Sequence, residues 1–135
     1  MKEEVVVRIL VVDDSEAVRR ALRNVLESHR DWRICGEAGS GKEALEQVEA
    51  TDPDIILLDF RMPDMNGLEV AREVRHYRYV PILLITLYMS EQLKDEARRA
   101  GIRGACPKEQ AGSVLNGIEA LLRHDTYFPA NQKAA

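Results

Sequence analysis

The chain has 135 residues, of which 45% are hydrophobic and 31% charged, a composition that suits one folded domain with a buried core. Its formal net charge of −4 and its short basic runs argue against nucleic acid binding by this segment. Residues 1–4 do not resemble a secretion signal and no stretch could span a bilayer, so we expect a cytoplasmic protein with no membrane partner.

Apolar runs that predict buried strands alternate with helical patterns along the chain. The predicted strands are residues 8–12, 32–37, 54–58, 81–85 and 102–106. Most of them lack polar alternation, as expected for a sheet that is covered on both faces. Apolar residues spaced three or four apart predict a helix after each strand. The pattern predicts an α/β fold of the flavodoxin-like, doubly wound type, with a five-stranded parallel sheet of order 2-1-3-4-5 and five helices.

The last residues of the chain are too few for a second folded module. We expect one domain over residues 1–123, and a C-terminal tail or the start of a linker over residues 124–135.

Polar side chains stand at the carboxyl ends of four predicted strands. They are Asp13 and Asp14 after the first strand, Asp59 after the third, Thr86 after the fourth and Lys108 after the fifth. These ends are neighbours in the predicted order, so the five side chains should share one crevice. The repulsion between two ionised carboxylates at ~5 Å is on the order of 3 kcal/mol, and a bound divalent cation would relieve it. The set predicts an acidic metal site suited to phosphoryl transfer.

Segments along the chain resemble the signature stretches of response-regulator receiver domains, the phosphoacceptor modules of two-component signalling. They are ILVVDD at residues 9–14, DFRMPDMNG at 59–67, IT at 85–86 and GACPK at 104–108. The resemblance covers about residues 8–123. It implies a phosphorylation switch that receives its phosphoryl group from a sensor histidine kinase or a phosphotransfer protein, within a phosphorelay.

The resemblance also implies the role of each site residue. Asp59 would be the phosphoacceptor, and Mg²⁺ (or Mn²⁺) would bind beside it. Asp14 would be a direct metal ligand, Asp13 would act through water, and the backbone carbonyl of Arg61 would complete the protein ligands. The remaining two residues would contact the phosphoryl oxygens; they are Thr86 and Lys108.

Two rival functions use similar residues. A metal-dependent phosphatase with an aspartate nucleophile needs a second Asp two residues later, where this chain has Arg61. A degenerate interaction module that is never phosphorylated does not need the complete acidic set.

Residues 36–43 approach the P-loop pattern, but Glu43 replaces the Ser or Thr that binds Mg²⁺, and Ser40 with Glu43 fits a helix capping box instead.

The chain departs from the commonest receiver pattern at the residues expected to transmit the signal. Ala105 stands where an aromatic residue usually rotates, Leu87 stands where a small residue is usual, and Lys108 follows Pro107 instead of preceding a proline. We expect Leu87 or Tyr88 to carry the change to the surface of helix 4, strand 5 and helix 5, which is also the expected homodimer surface.

The end of the sequence is similar to a junction found in a subgroup of this family. Residues 120–129 resemble the segment that precedes the helix-turn-helix domain of LuxR-type response regulators. Two interpretations fit: a single-domain regulator, and the receiver half of a longer DNA-binding protein.

Overall fold

Strands and helices alternate regularly through residues 5–130, the part of the chain that the computed structural model describes. The elements are β1 (Val7–Val12), α1 (Glu16–Glu27), β2 (Trp32–Ala38), α2 (Gly41–Thr51), β3 (Ile55–Asp59), α3 (Gly67–Arg75), β4 (Ile82–Thr86), α4 (Glu91–Arg99), β5 (Gly104–Pro107) and α5 (Ala111–Leu122). Residues 1–4, and residues 131–135 of the expected tail, lie outside this part. Within residues 5–130, each helix is too short or too polar to cross a bilayer.

The five strands form one parallel sheet in the order β2-β1-β3-β4-β5, which confirms the predicted order. β3 pairs with β1 on one side and with β4 on the other, so it lies in the centre of the sheet. In this register Asp59 lies beside Ile85, and Thr86 lies beside Pro107. The polar residues at the strand ends therefore meet at one edge of the sheet, where α/β proteins bind ligands.

Both faces of the sheet are buried, which explains the continuous apolar strands. One face packs against α2, α3 and α4 and the other packs against α1 and α5. Successive residues of a strand point to opposite faces. Leu57 accordingly belongs to the α1–α5 side, and Leu58 belongs to the other side.

Within residues 5–130, four of the five helices begin with a side-chain cap. Ser15, Ser40, Asn66 and Ser90 each accept a hydrogen bond from the backbone N–H three residues later. The predicted capping box at Ser40 is only half formed, because the Glu43 carboxylate accepts from the Gly39 N–H. Gly39 lies one residue nearer the strand than the box requires. The structure has its complete capping box at α3 instead, between Asn66 and Glu69.

The last strand begins two residues later than predicted. Gly101 has a φ of 86°, which only a glycine adopts readily, and it turns the chain out of α4. Ile102 is buried on the α4 side of the sheet before pairing begins. Hydrophobicity at Ile102 thus reflects burial in the turn and not membership of the strand.

Residues 124–130, named the C-terminal strap below, return to the edge of the sheet. Tyr127 forms a parallel bridge with Gly104 of β5. The Tyr127 N–H donates to the Arg103 carbonyl at 3.0 Å, and the Ala105 N–H donates to the Tyr127 carbonyl at 2.9 Å. The described part of the segment after α5 is therefore attached to the domain by backbone hydrogen bonds.

Candidate functional site

Asp59 is the last residue of β3 and is only 3% exposed. The loop that follows it returns closely beneath the strand, where the Gly67 N–H donates to the Phe60 carbonyl at 2.8 Å. A side chain on Gly67 would place its first carbon 2.8 Å from the Asp59 carbonyl oxygen. The small residue at the start of α3 therefore allows the loop to hold Asp59 against the sheet.

The two aspartates at the end of β1 have different surroundings. Asp13 is fully buried, and its carboxylate accepts hydrogen bonds from the Ser15 N–H at 2.9 Å and from Lys108 Nζ at 2.8 Å. Asp14 is exposed and lines the crevice. Ligand oxygens of Asp13, Asp14 and Asp59 all lie within 4.8 Å of one another. The structure thus brings together the three predicted carboxylates.

Lys108 follows β5 and links two of these carboxylates. Its Nζ lies 2.8 Å from Asp13 Oδ2 and 3.0 Å from Asp59 Oδ1, and its side chain is 10% exposed. The Lys108 N–H donates to the Thr86 carbonyl at 3.0 Å, which attaches the lysine backbone to the end of β4. Burial alone would lower the pKa of Lys108, but the hydrogen bonds to Asp13 and Asp59 raise it, so the ammonium stays charged.

An open crevice of about 360 Å³ lies above these residues. It is lined by Asp14, Asp59, Arg61, Thr86, Leu87, Tyr88 and Lys108. The Thr86 hydroxyl is buried at its floor and accepts a hydrogen bond from the Tyr88 N–H at 3.3 Å. Leu87 and Tyr88 are largely exposed at its rim, with 52% and 79% of their surface accessible. Every site residue that the sequence singles out either lines this crevice or, like Asp13, contacts a residue that does.

Burial and negative charge raise the pKa of Asp59 to about 6. Burial is the largest cause and the Asp13 charge adds to it, whereas Lys108 and a backbone hydrogen bond from Arg61 act in the opposite direction. Three carboxylates and one ammonium leave two negative charges uncompensated when all four groups are ionised. A cluster of hard oxygen donors with this charge fits a divalent cation such as Mg²⁺.

The near-match to a P-loop does not form a phosphate cradle. The backbone N–H groups of Gly41 and Lys42, which such a loop would offer to phosphate, donate to the Asp64 carboxylate at 2.8 and 2.9 Å. These two bonds lower the pKa of Asp64. Asp64 belongs to the loop after β3, so it ties that loop to the start of α2.

One residue that supports the site was not predicted from the sequence. Arg19 in α1 donates to the Asp13 carbonyl oxygen at 2.6 Å and to Glu37 at 3.2 Å, and Glu37 also binds Arg23 at 2.8 Å. The Arg23 hydrogen bond is the largest effect lowering the pKa of Glu37. The glutamate in β2 was the available signal, because a half-buried charge needs a partner.

Comparison with known proteins agrees with this geometry. Residues 9–119 match the family described as "Response regulator receiver domain". The chain is 34% identical over 117 residues to the transcriptional regulatory protein YdfI of Bacillus subtilis, covering 86% of this chain and 55% of that protein. It is 40% identical over 112 residues to a protein-glutamate methylesterase/protein-glutamine glutaminase of Pyrococcus abyssi, covering 82% of this chain and 30% of that protein.

A solved structure shows the same architecture. A LuxR-family two-component response regulator from Aurantimonas sp. superimposes with a TM-score of 0.87 and 28% identity, covering 90% of this chain and 89% of that one. The curated relatives above are longer, since this chain spans about half of YdfI and under a third of the methylesterase. The family match extends over most of the sequence and the sheet order agrees, so the chain belongs to the response regulator receiver domain family.

Proposed function

We propose that Asp59 accepts a phosphoryl group in a cation-dependent reaction and that the domain switches conformation in response. The observation that carries this proposal is the position of Lys108 Nζ, which lies within 3.0 Å of Asp59 and 2.8 Å of Asp13 at the end of the sheet. A buried carboxylate that borders both a fixed ammonium and an open crevice is suited to nucleophilic attack on phosphorus.

In the reaction, one Asp59 oxygen forms a bond to phosphorus while the bond from phosphorus to the donor's leaving atom breaks. With a pKa of about 6, Asp59 is mostly ionised at neutral pH and can act as the nucleophile. Lys108 holds its charge beside the incoming oxygens, and the Thr86 hydroxyl can turn to donate to one of them. A divalent cation held by Asp13, Asp14, Asp59 and the Arg61 carbonyl would neutralise charge on the transferring group.

We propose a sensor histidine kinase or a phosphotransfer protein as the phosphodonor and Mg²⁺ or Mn²⁺ as the cation. We further propose that the conformational change reaches the face formed by α4, β5 and α5, through Leu87 and Tyr88 at the crevice rim. This face would also be where two copies of the chain associate. One relative is a transcriptional regulator, and we propose that the switch controls transcription in a longer protein.

Intact-mass measurement tests the phosphoacceptor directly. The native chain, incubated with acetyl phosphate and Mg²⁺, should gain one phosphoryl group, and Asp59→Asn should gain none. Asp64→Asn is the matched control, because Asp64 lies in the loop that follows Asp59 but uses its carboxylate to bind the Gly41 and Lys42 N–H groups. Stable modification of the Asp59→Asn variant, or no modification of the native chain, would contradict the proposal.

A further inference from the structure

The open edge of β5 is covered by the chain's own C-terminal strap. β5 has a single partner in the sheet, β4, and its other edge pairs with Tyr127 through the two backbone bonds described above. Gly104 permits this approach, since a side chain there would lie 2.9 Å from the Tyr127 carbonyl oxygen. An exposed strand edge is a template for pairing with another chain, and the strap removes it.

Side chains of the strap reach both neighbouring helices. The Tyr127 hydroxyl lies 3.0 Å from the Ser113 hydroxyl of α5, and its ring passes over Gly117, where a side chain would lie 3.1 Å from it. Phe128 packs against the α4 side of the core, and the Arg98 guanidinium lies 4.3 Å from its ring centre. The strap therefore contacts all three elements of the face formed by α4, β5 and α5.

A buried lysine of α4 fastens the end of the strap. Lys94 is only 2% exposed, and its Nζ donates to the Pro129 carbonyl while pairing with Glu91 at 2.9 Å. A buried ammonium is costly unless it is paired. The Pro129 carbonyl supplies one of its two partners, so the position of α4 and the position of the strap depend on each other.

We propose that residues 126–130 of the strap form a displaceable cover over the α4–β5–α5 face, and that phosphorylation of Asp59 loosens it. This inference rests on the proposed function of Asp59. The occupant of the face in the unphosphorylated state is the chain's own strap. A second copy of the chain that uses this face has to displace the strap first.

A chain of contacts leads from the crevice towards the strap. The Thr86 hydroxyl accepts from the Tyr88 N–H, and that bond breaks if the Thr86 side chain moves inward to donate to a phosphoryl oxygen. The next residue, Met89, lines a surface pocket of about 340 Å³ together with Tyr127 and Pro129. Movement of the loop after β4 would therefore change the surroundings of Tyr127 and Pro129 in the strap.

The same loop also positions α4. Ser90 caps this helix by accepting from the Leu93 N–H at 3.0 Å, and Lys94 follows on its first turn. Ala105 of β5 has no side chain that could rotate beneath the strap. In this proposal the strap with its aromatic residues is the group that moves, and phosphorylation biases the face between a covered and an uncovered arrangement.

Amide hydrogen exchange on the full chain tests the proposal. With Mg²⁺ and beryllofluoride, the Ala105 and Tyr127 amides should exchange at least ~10-fold faster, because both donate across the strap contact. Calorimetry monitors beryllofluoride binding in the same samples. If beryllofluoride binds but exchange at these amides is unchanged or slower, the proposed displacement of the strap is wrong and the proposed function of Asp59 still stands. If beryllofluoride does not bind, both proposals are wrong.

Two pairs of variants test the coupling in the reverse direction. Lys94→Met removes the bond to Pro129, whereas the control Glu91→Gln removes only the exposed partner of the lysine. Lys94→Met should speed exchange at Ala105 by ~10-fold without any phosphoryl analogue. By reciprocity it should also tighten beryllofluoride binding several-fold, and Glu91→Gln should change neither.

A second pair keeps the test decisive if Lys94→Met does not fold. Phe128→Ala loosens the strap from α4, and Tyr77→Ala removes an aromatic residue, 55% exposed, that lies outside the strap. Phe128→Ala should reproduce the faster exchange and the tighter binding, and Tyr77→Ala should not. Unchanged beryllofluoride affinity in a folded strap variant overturns the proposal.

Discussion

Replacing Asp59 by asparagine should stabilise the metal-free protein, and the gain should depend on pH. Asp59 is 3% exposed, and burial with the nearby Asp13 charge raises its pKa from 3.8 to about 6. Each pKa unit corresponds to about 1.4 kcal/mol, so ionising this carboxyl costs about 3 kcal/mol more in the folded protein than in the unfolded chain. An amide keeps an oxygen that can accept from Lys108 and avoids the cost of ionisation.

The direction of the pH dependence follows from the raised pKa. Below about pH 4 the carboxyl is protonated in both the folded and the unfolded chain, so Asp59 has little effect on stability. As the pH rises through 6, the unfolded chain has already released this proton, and the folded protein must ionise a buried group. The stability contributed by the protonated form is therefore lost between about pH 4 and pH 7.

Urea unfolding followed by circular dichroism, in EDTA at a series of pH values, measures this effect. Asp59→Asn should be more stable than the native chain by about 3 kcal/mol near pH 8 and about equal to it near pH 4. Saturating Mg²⁺ should narrow the difference, because the cation stabilises the folded native chain. Equal stability near pH 8, or a difference that does not change with pH, would refute the assigned environment of Asp59.

An aspartate of the loop after β3 provides a control of opposite sign. Backbone hydrogen bonds from Gly41 and Lys42 lower the pKa of Asp64. Its ionised form therefore stabilises the fold above the ordinary pKa of the carboxyl, and this contribution disappears as the pH falls through the lowered value. Asp64→Asn should be less stable than the native chain near pH 8.

Three further predictions concern the site and its rim. Asp14→Ala should weaken Mg²⁺ binding at least ~10-fold in a titration, since it removes a carboxylate that lines the crevice and is a proposed ligand; unchanged affinity would contradict the proposed ligand set. Gly67→Ala should lower the free energy of unfolding by roughly 1–3 kcal/mol, because its new methyl group would lie 2.8 Å from the Asp59 carbonyl and from Leu84; native stability in urea would refute this contact. Structures with and without beryllofluoride should show Leu87 and Tyr88 in different positions, and identical positions alongside a changed output would exclude them as the route of the signal.

The elements and the convergence of the site residues could be predicted from the sequence because both leave local signals. Strands that are buried on both faces have short, continuous runs of apolar residues. Each helix has apolar residues spaced three or four apart, which form one apolar face. Parallel connections are right-handed, so the alternation limits the topology to few candidates. The strand order then places Asp13, Asp59 and Lys108 at the same edge, although 95 residues separate the first from the last.

Other features were decided by tertiary structure alone. Asp64 reaches α2 across 23 residues, and Lys94 reaches the strap across 35. Each of these contacts joins one side chain to a backbone group that is distant in the sequence. Such a contact produces no periodic pattern of residues, so it cannot be predicted from a short stretch of sequence. The pairing of the strap with β5 could not be predicted for a related reason. Tyr127 pairs as a single residue, so the sequence around it shows no strand pattern. Its partner is the open edge of β5, which exists only once the sheet has folded.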